Sequence, residues 1–378
     1  MNKVQTAAAP LRHDDAAGCP VKIVIAIDSF KGCLSSAEAG AAAAEGMRQR
    51  WPEAEVACLP VSDGGEGWLD AFGHVPGRVW ETMEAGVSDP LMRPVTARYL
   101  KGGKLAVIEI AEACGLHLLQ PGERNPLTAT SRGVGELIAD AVQRGCTQFI
   151  VGLGGSAVSD AGRGMIEALD LWSLDPSRPF RLTVHQAENL KIESILIATD
   201  VTNPLCGPNG AAAVFGPQKG ATPEMVLELD HRAQTFACEN ARRMGFDRSG
   251  EPGAGAAGGL GYAFMQFLGA EQRSGGELLL EMLHFDELIR DADLVITGEG
   301  RADRQTIMGK LPAIVLRHAR QHHIPCHLLA GQLQDKDALL NEGFASVRSI
   351  NPPQSSLRDA LQPEVARQRI KEAAAQLL

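Results

Sequence analysis

The chain has 378 residues, of which 44% are hydrophobic and 22% are charged, so it is long enough for two domains and apolar enough to bury a core. Its 36 lysines and arginines are outnumbered by 46 aspartates and glutamates, which excludes a strongly basic nucleic-acid-binding surface. No run of about 18 apolar residues occurs, so we expect neither a membrane span nor a membrane partner.

The first predicted strand, Val21–Ile27, is apolar throughout, which is typical of a strand buried on both faces of a parallel sheet. A helix follows, because Ser35 or Ser36 can cap its start and Glu38 lies in its first turn. The next strand is Glu55–Val61. The residues before the first strand, 1–20, lack the apolar core of a secretion signal and are expected to be a disordered leader.

The middle of the chain has a different character. Val95–Leu100 and Lys104–Ile110 flank a Lys-Gly-Gly turn and predict an antiparallel hairpin. The other predicted elements here are helices at Thr130–Arg144 and Pro223–Met244 and strands at Gln148–Leu153 and Ile195–Asp200. The last third alternates again, with strands at Asp293–Thr297, Pro325–Ala330 and Ala345–Ile350 and helices at Arg304–Gln321 and from about Pro363. This order predicts an α/β protein whose middle is an inserted domain.

Glycine and cysteine usage add two expectations. Glycine provides 41 residues, above the usual level of about 7%, which indicates many tight turns and close approaches of backbone to ligand. Aromatic residues are few, so a small-molecule enzyme is favoured over a recognition surface. The eight cysteines are scattered without a CxxC pair, which favours reduced thiols and a cytoplasmic location.

Residues Pro252–Gly259 contain a literal GxGxxG pattern. A dinucleotide site needs a strand directly before such a pattern, and the polar segment ending in Pro252 does not provide one. Two interpretations stay open: an anion or phosphate at the start of the following helix, or close helix packing through small residues. His318 and His322 are spaced for a metal on one helix face, but the adjacent His323 and arginines favour a solvated face.

Polar residues follow five predicted strands, at the edge where open α/β sheets bind ligands. The segments are Asp28–Lys31, Asp63–Glu66, Gly154–Ser156, Asp200–Asn203 and Gly298–Asp303. Together they provide carboxylates for Mg²⁺ and for proton abstraction, and glycine N–H groups for phosphate. With cations at Lys31, Lys219 and Lys310, this set of residues fits phosphoryl transfer, where catalysis is mostly positioning and charge neutralisation.

These segments, in this order, resemble the bacterial class I glycerate kinase family from Val21 onward. Further motifs that carry the resemblance are Thr130–Gly133, Gly216–Gly220, Pro252–Gly259, Gln305–Thr306 and Gly309–Lys310. The resemblance implies ATP-dependent phosphorylation of D-glycerate to 2-phosphoglycerate or 3-phosphoglycerate. It also implies two α/β domains: a Rossmann-like parallel sheet built from residues 21–88 and 291–378, and a second domain, 89–290, inserted between them.

The chain departs from the family pattern in one region. After Gly154–Ala157 the family typically has Thr-Asn-Asp-Gly-Gly, whereas residues 158–162 are Val-Ser-Asp-Ala-Gly. The family also carries a longer glycine-rich segment beyond Leu169, where this chain passes from Asp170–Ser173 to Phe180–Val184. Substrate identity is the inference that depends most on this segment.

The catalytic hypothesis places glycerate and ATP in a cleft between the two domains. The proton acceptor is Asp200, with Asp63 as second candidate, and Lys219 or Lys310 neutralises the transferring phosphoryl group. Arg132 or Lys31 holds the substrate carboxylate. The other predicted substrate-binding residues are Asp28, Ser29, Ser156, Asp160 and Asn203.

Magnesium and ATP are the predicted cofactors. Glu299 or Asp303 is expected to bind the metal or a metal-bound water. The nucleotide is expected to lie against the backbone of Gly253, Gly255, Gly258, Gly259, Gly298 and Gly300. Two rival functions stay open at this point, a hydroxy-acid dehydrogenase or lyase and a non-catalytic sensor of glycerate or a sugar acid. The phosphorylated hydroxyl and the existence of a homo-oligomer also stay open.

Overall fold

The computed structural model describes residues 20–169 and 190–377. Almost all of the predicted leader, together with Asp170–Ser173 and Phe180–Val184, lies outside the described residues. The rest divides into two compact units. The first contains the chain up to Asp63, His74–Pro76 and the residues from Gly276 onward, and the second contains Gly64–Gly73 and Gly77–Gly275.

The strands, in chain order, are β1 (Lys22–Ile27), β2 (Glu55–Cys58), β3 (Glu81–Ser88), β4 (Pro94–Gly102), β5 (Leu105–Glu109), β6 (Gln148–Gly152), β7 (Ser194–Ala198), β8 (Glu271–Arg273), β9 (Leu294–Ala302), β10 (Cys326–Leu333) and β11 (Ser346–Ser349). The helices are α1 (Ser36–Arg50), α2 (Trp68–Phe72), α3 (Ala111–Cys114), α4 (Arg132–Gln143), α5 (Arg163–Ala168), α6 (Ala211–Phe215), α7 (Pro223–Met244), α8 (Leu260–Leu268), α9 (Gly275–Met282), α10 (Phe285–Ile289), α11 (Leu311–Gln321), α12 (Lys336–Glu342), α13 (Leu357–Ala360) and α14 (Pro363–Ala375). Among the described residues, no helix combines the length and apolarity that crossing a bilayer requires.

The first unit contains a five-stranded parallel sheet in the order β11-β10-β9-β1-β2. Strand β1 is buried at every position except Lys22, as its unbroken apolar sequence predicts. From β1 the chain adds β2 on one side, and from β9 it adds β10 and β11 on the other. The direction of winding therefore reverses between β1 and β9, which makes their carboxyl ends a topological switch point.

Several elements of this unit differ from their predicted extent. Strand β2 ends at Cys58 rather than Val61, and β10 continues past Ala330 to Leu333. Strand β9 continues past Thr297 to Ala302, because its pairing with β10 extends to Ala302 opposite Leu333. Helix α11 begins at Leu311 rather than Arg304. Thr306–Met308 form a 3-10 turn, and Gly309, with φ of 109°, interrupts the helical path.

The second unit contains a six-stranded sheet in the order β3-β4-β5-β6-β7-β8. Strands β4 and β5 form the predicted antiparallel hairpin, and β5 to β8 are parallel. Strand β3 lies within residues 21–88, yet it pairs with β4 from Glu81↔Lys101 to Ser88↔Pro94. The α/β class with a parallel sheet built from both chain ends is confirmed. The domain boundaries at 88/89 and 290/291 stay a prediction. The pairing of β3 with β4 places β3 in the second sheet, although the prediction assigns its residues to the first domain.

Helix α7 shows why one long element matches its predicted bounds. Thr222 caps the start through its hydroxyl, Pro223 occupies the first turn, and Gly245 ends the helix with φ of 79°. Leu229, Ala233 and Phe236, together with Ala237, form a buried apolar stripe at helical spacing. Local caps and periodicity therefore agree with the tertiary packing.

Candidate functional site

A cavity of about 660 Å³ lies in the first unit beside the carboxyl ends of β1 and β9, and its volume is in the range of small-molecule sites. Seven of the predicted site residues line it: Asp28, Ser29, Lys31, Asp63, Glu299, Gly300 and Lys310. They come from four separate stretches of the sequence and meet at the switch point of the sheet. This is the position where open α/β sheets bind ligands.

Asp28 is held rigidly at the end of β1. Its backbone N–H donates to the Gly298 carbonyl at 2.9 Å, and its carboxylate accepts from the Ser29 N–H at 2.7 Å. Burial raises the pKa of Asp28 well above its ordinary value, and the neighbouring charges of Asp63 and Glu299 raise it further. Three acidic side chains, Asp28, Asp63 and Glu299, thus line the same cavity as the cations Lys31 and Lys310.

Glu299 is 7% exposed and has two partners at the cavity wall. The Thr306 hydroxyl donates to Glu299 Oε1 at 2.6 Å, and Lys310 Nζ lies 3.4 Å from Oε2. Burial raises the pKa of Glu299, and these two partners lower it in part. Lys310 is itself partly exposed, so its ammonium is available to a second anion.

The other predicted metal ligand, Asp303, is not among the residues that line the cavity. Its carboxylate pairs with Arg301 Nε at 3.2 Å and accepts the Gln305 N–H at 2.8 Å. Asp303 therefore organises the turn after β9. Ser29 differs from it, because its Oγ is buried at the cavity and has no partner among the described residues. A buried hydroxyl without a partner indicates a position for a ligand or water.

Lys219 lies in the second unit and is almost fully buried. Its Nζ donates to Ser156 Oγ at 2.9 Å and to the Val158 carbonyl at 2.6 Å. Burial lowers the pKa of Lys219 to about 8. The two predicted residues are thus hydrogen-bonded to each other, and Lys219, from the 3-10 turn Pro217–Lys219, holds Ser156 and Val158 in the loop after β6.

Asp160 accepts four hydrogen bonds within this unit. The donors are Ser131 N–H at 2.8 Å, Ser131 Oγ–H at 2.9 Å, and the N–H groups of Gly162 and Gly164, both at 3.1 Å. Burial raises the pKa of Asp160 even though these bonds favour the carboxylate. The side chain connects the start of α4 to the loop before α5, so its first role is structural.

The remaining polar predictions fall at loop and helix starts of the second unit. Asp200 follows β7, and Asn203 Nδ2 donates to the Asn209 carbonyl at 2.8 Å. Arg132 begins α4 and pairs with Glu136 at 2.9 Å while staying partly exposed. A second cavity, of about 680 Å³, is present in this unit, and Asp160 is the predicted substrate-binding residue on its wall.

The glycine cluster before α8 is buried throughout. A Cβ added to Gly255 or Gly258 would overlap the carbonyl of Pro204 or Val158, respectively. Gly259 has φ of 95°, and a Cβ there would lie 2.6 Å from Ala161 Cα. Packing explains these glycines without a ligand, and their contact with a nucleotide stays a prediction. Gly298 is similar, since a Cβ there would overlap the Leu329 carbonyl.

Gly300 differs from these glycines. A Cβ added there would make only ordinary contacts, 3.6 Å from Phe30 Cα and 3.7 Å from Lys31 N. Its position on the cavity wall is therefore not explained by protein packing alone. A bare backbone at this point leaves room for a ligand to approach.

Sequence reasoning missed Glu109, at the end of β5. Its side chain is buried and lies 3.4 Å from the Leu69 N–H. Burial, together with the charges of Glu112 and Asp70, raises the pKa of Glu109 to about 7. The residue lies inside the predicted strand Lys104–Ile110, so no turn signal marked it.

The predicted solvated face at His318 and His322 is wrong. His318 is 14% exposed, with Nδ1 at 2.8 Å from Asp286 and Nε2 at 3.0 Å from Glu277. His322 Nε2 lies 3.1 Å from the same Asp286 oxygen. The histidines thus connect α11 to α9 and α10. The described residues contain no group of three or more His, Cys, Asp or Glu side chains suited to hold a metal ion.

Comparison with known proteins gives consistent matches. A family model described as the glycerate kinase family matches residues 23–378. The glycerate kinase of Bacillus subtilis (strain 168) is 41% identical over 359 residues, covering 90% of this chain and 93% of the relative. The glycerate 2-kinase of Escherichia coli (strain K12) is 41% identical over 358 residues, covering 87% of this chain and 90% of the relative.

A solved structure from Salmonella typhimurium LT2, described as a candidate glycerate kinase 2, is also similar. It is 39% identical, has a TM-score of 0.75, and the match covers 94% of this chain and 97% of that chain. The resemblance drawn from the sequence motifs is confirmed. The chain is a kinase, and it belongs to the glycerate kinase family.

Proposed function

We propose that this kinase transfers the γ-phosphoryl group of ATP to a hydroxyl of D-glycerate and releases 2-phosphoglycerate. Family membership and the name of the Escherichia coli relative, glycerate 2-kinase, support the acceptor and the product. The observation that carries the proposal is the cavity at the switch point of the first sheet. There Asp28, Asp63 and Glu299 stand beside Lys31 and Lys310.

The two lysines of the cavity suit the donor phosphates. Phosphoryl transfer passes through a loose transition state, so the protein contributes mainly positioning and charge neutralisation. Lys310 is the stronger candidate to neutralise charge on the transferring phosphoryl group, because Lys219 already donates to Ser156 and Val158. Lys31 is exposed on the cavity wall and provides a second charge. A phosphate oxygen can approach the Ser29 hydroxyl, which has no partner among the described residues. It can also approach the backbone at Gly300, where no side chain is in the way.

The carboxylates of the cavity fit Mg²⁺. Asp28 and Glu299 are costly to ionise in this setting, since burial raises the pKa of each, helped by the charges of Asp63 and Glu299 at Asp28 and of Asp303 at Glu299. A divalent cation would relieve that cost. Mg²⁺ usually takes one or two carboxylates together with phosphate oxygens and waters, so a complete protein cage is not required. Glu299 and Asp28 are the residues that would hold it. When bound, the ion would neutralise negative charge on the nucleotide phosphates.

The acceptor hydroxyl must lose a proton to a nearby base. We assign this role to Asp200 first and to Asp63 second, because both carboxylates follow strands at their carboxyl ends. Arg132 is the candidate partner for the glycerate carboxylate, because its guanidinium stays partly exposed while it pairs with Glu136. Lys219 then acts as a positioning residue for Ser156.

A coupled ADP-release assay tests the proposal, with Mg·ATP and D-glycerate, L-glycerate or related sugar acids as acceptors. We expect turnover on D-glycerate, and ³¹P NMR of the product should show 2-phosphoglycerate. A 3-phosphoglycerate product would overturn the assignment of the hydroxyl. Absence of ADP release with every acid would contradict the proposed function, and glycerate binding without turnover would identify a sensor instead.

A further inference from the structure

The cavity of the first unit is much larger than its polar end requires. Its charged residues include Asp28, Lys31 and Glu299 at the ends of β1 and β9, whereas Pro352, Pro353 and Leu361, from the chain after β11, give another part of the wall apolar surface. A three-carbon acid has no apolar surface that would gain from this second wall. A ligand that fills the cavity therefore has one anionic end and one flat or apolar end.

The apolar wall is built in advance by hydrogen bonds. Asn351 Nδ2 donates to the Gly331 carbonyl at 2.7 Å, and Asn351 Oδ1 accepts from Arg369. The Ser349 hydroxyl donates to the Asn351 carbonyl at 2.9 Å. These bonds fix the loop after β11 against the end of β10. The wall thus needs little ordering when a ligand binds, which favours affinity.

Leu361 is the clearest unexplained feature of this wall. Its side chain is 44% exposed although it is large and apolar, and it faces the same cavity as the two prolines. Exposed apolar groups that line a concave surface together indicate a binding site rather than chance exposure. Gln332 and Ser355 lie on the same cavity and offer hydrogen-bonding groups to the edge of a ring or a ribose.

We propose that this apolar end, formed by Pro352, Pro353 and Leu361, holds the purine base of the donor nucleotide. The inference rests on the proposed function, because the phosphates of the same molecule are placed near Lys31 and Lys310. The base stacks on aliphatic surface, since the wall residues named here are not aromatic. The nucleotide then spans the cavity from its apolar wall to its cations.

Isothermal titration of the whole protein with ADP tests this placement. Leu361→Asn keeps the side chain near its original size and adds no charge, so it removes only the apolar surface. We expect the Kd for ADP to rise about tenfold or more. Leu340→Asn is the matched control, because Leu340 is also an exposed leucine of the first unit and is absent from the cavity wall; it should leave the Kd unchanged.

The same variant separates this inference from the proposed function. Leu361→Met should bind ADP as the wild type does, because it restores apolar surface. In Leu361→Asn, inorganic pyrophosphate should inhibit as it does in the wild type, since pyrophosphate lacks the base. Unchanged ADP affinity in Leu361→Asn would overturn the base placement while glycerate turnover still stood. If the wild type does not turn over glycerate but Leu361→Asn still weakens ADP binding, the proposed function is overturned and the base placement stands.

Discussion

The two units use the same residue types in different ways. In the first unit, Asp28 and Lys31 border a cavity, where burial raises the pKa of Asp28 and the Lys31 side chain is exposed. In the second unit, Asp160 accepts four protein hydrogen bonds and Lys219 donates two. A polar residue after a strand therefore either faces a ligand or holds a loop, and its hydrogen-bond partners distinguish the two.

The glycines also divide into two kinds, although not strictly by unit, since Gly298 of the first unit packs against the Leu329 carbonyl. Gly255 and Gly258 are required by crossing backbones in the second unit, whereas Gly300 has no such neighbour in the first. A glycine motif is thus not by itself a sign of nucleotide contact. We therefore expect substitutions of ligand-facing residues to change activity or ligand affinity, and substitutions of loop-holding residues to change the free energy of unfolding.

The largest expected effect is on catalysis. Asp200→Asn should lower kcat by about 10²–10⁴, the usual contribution of a general base, and steady-state kinetics with D-glycerate measures it. Asp337→Asn, an exposed carboxylate on α12, should leave kcat unchanged. Turnover at the wild-type rate in Asp200→Asn would remove Asp200 from the mechanism and leave Asp63 as the candidate.

A matched pair of alanine variants tests the comparison itself. Asp160→Ala leaves four donors without their acceptor and should lower the free energy of unfolding by about 3 kcal/mol or more. Asp28→Ala removes a carboxylate that is costly to ionise in place and should cost less than about 1 kcal/mol. Urea denaturation measures both. Equal destabilisation by the two variants would contradict the distinction between loop-holding and ligand-facing carboxylates.

Glu109 should make the stability depend on pH. Its pKa is about 7 in the folded protein and about 4.3 in an unfolded chain, so the folded state binds the proton more tightly. Glu109 therefore lowers the free energy of unfolding least below pH 4, where it is protonated in both states, and lowers it increasingly as the pH rises to 7. Relative to Glu109→Gln, the wild type should lose about 2–3 kcal/mol of unfolding free energy between pH 4.5 and 8. Parallel profiles for the two proteins would refute this.

The smallest effect concerns the segment that departs from the family pattern. Ala161 has φ of 53°, a left-handed conformation that costs an alanine about 1–2 kcal/mol. Ala161→Gly should raise the free energy of unfolding by about 0.5–1 kcal/mol, after the greater entropy of glycine in the unfolded chain is subtracted. Ala139→Gly, in the interior of α4, should instead lower it by about 1 kcal/mol. Thermal denaturation that shows both variants to be destabilised would contradict the strain at Ala161.

Local signals account for much that could be predicted. The capping residues and apolar stripe of α7 determine its bounds, and the apolar run of β1 indicates an interior strand of a parallel sheet. Polar residues after strands marked Asp28, Asp63 and Glu299. What could not be predicted depends on distant pairing: the extension of β9 along β10, and the side chains that satisfy Asp160.

The apolar wall of the cavity shows the same limit. Pro352 and Leu361 carry no motif, and they become a surface only because the loop after β11 is held beside β10. Glu109 was hidden for a related reason, since a carboxyl inside an apolar strand has no local marker. Sequence patterns identify the carboxyl ends of strands, whereas a cavity forms only when segments distant in sequence pack together.

The central claim is that the cavity of the first unit binds the phosphoryl donor, and titration of ADP into two lysine variants tests it most directly. Lys31→Met removes an exposed cation from the cavity wall, and Lys336→Met removes another exposed cation from α12, away from the cavity wall. We predict that the first variant raises the Kd for ADP about tenfold and that the second leaves it unchanged. The same Kd in both variants and in the wild type would contradict the claim.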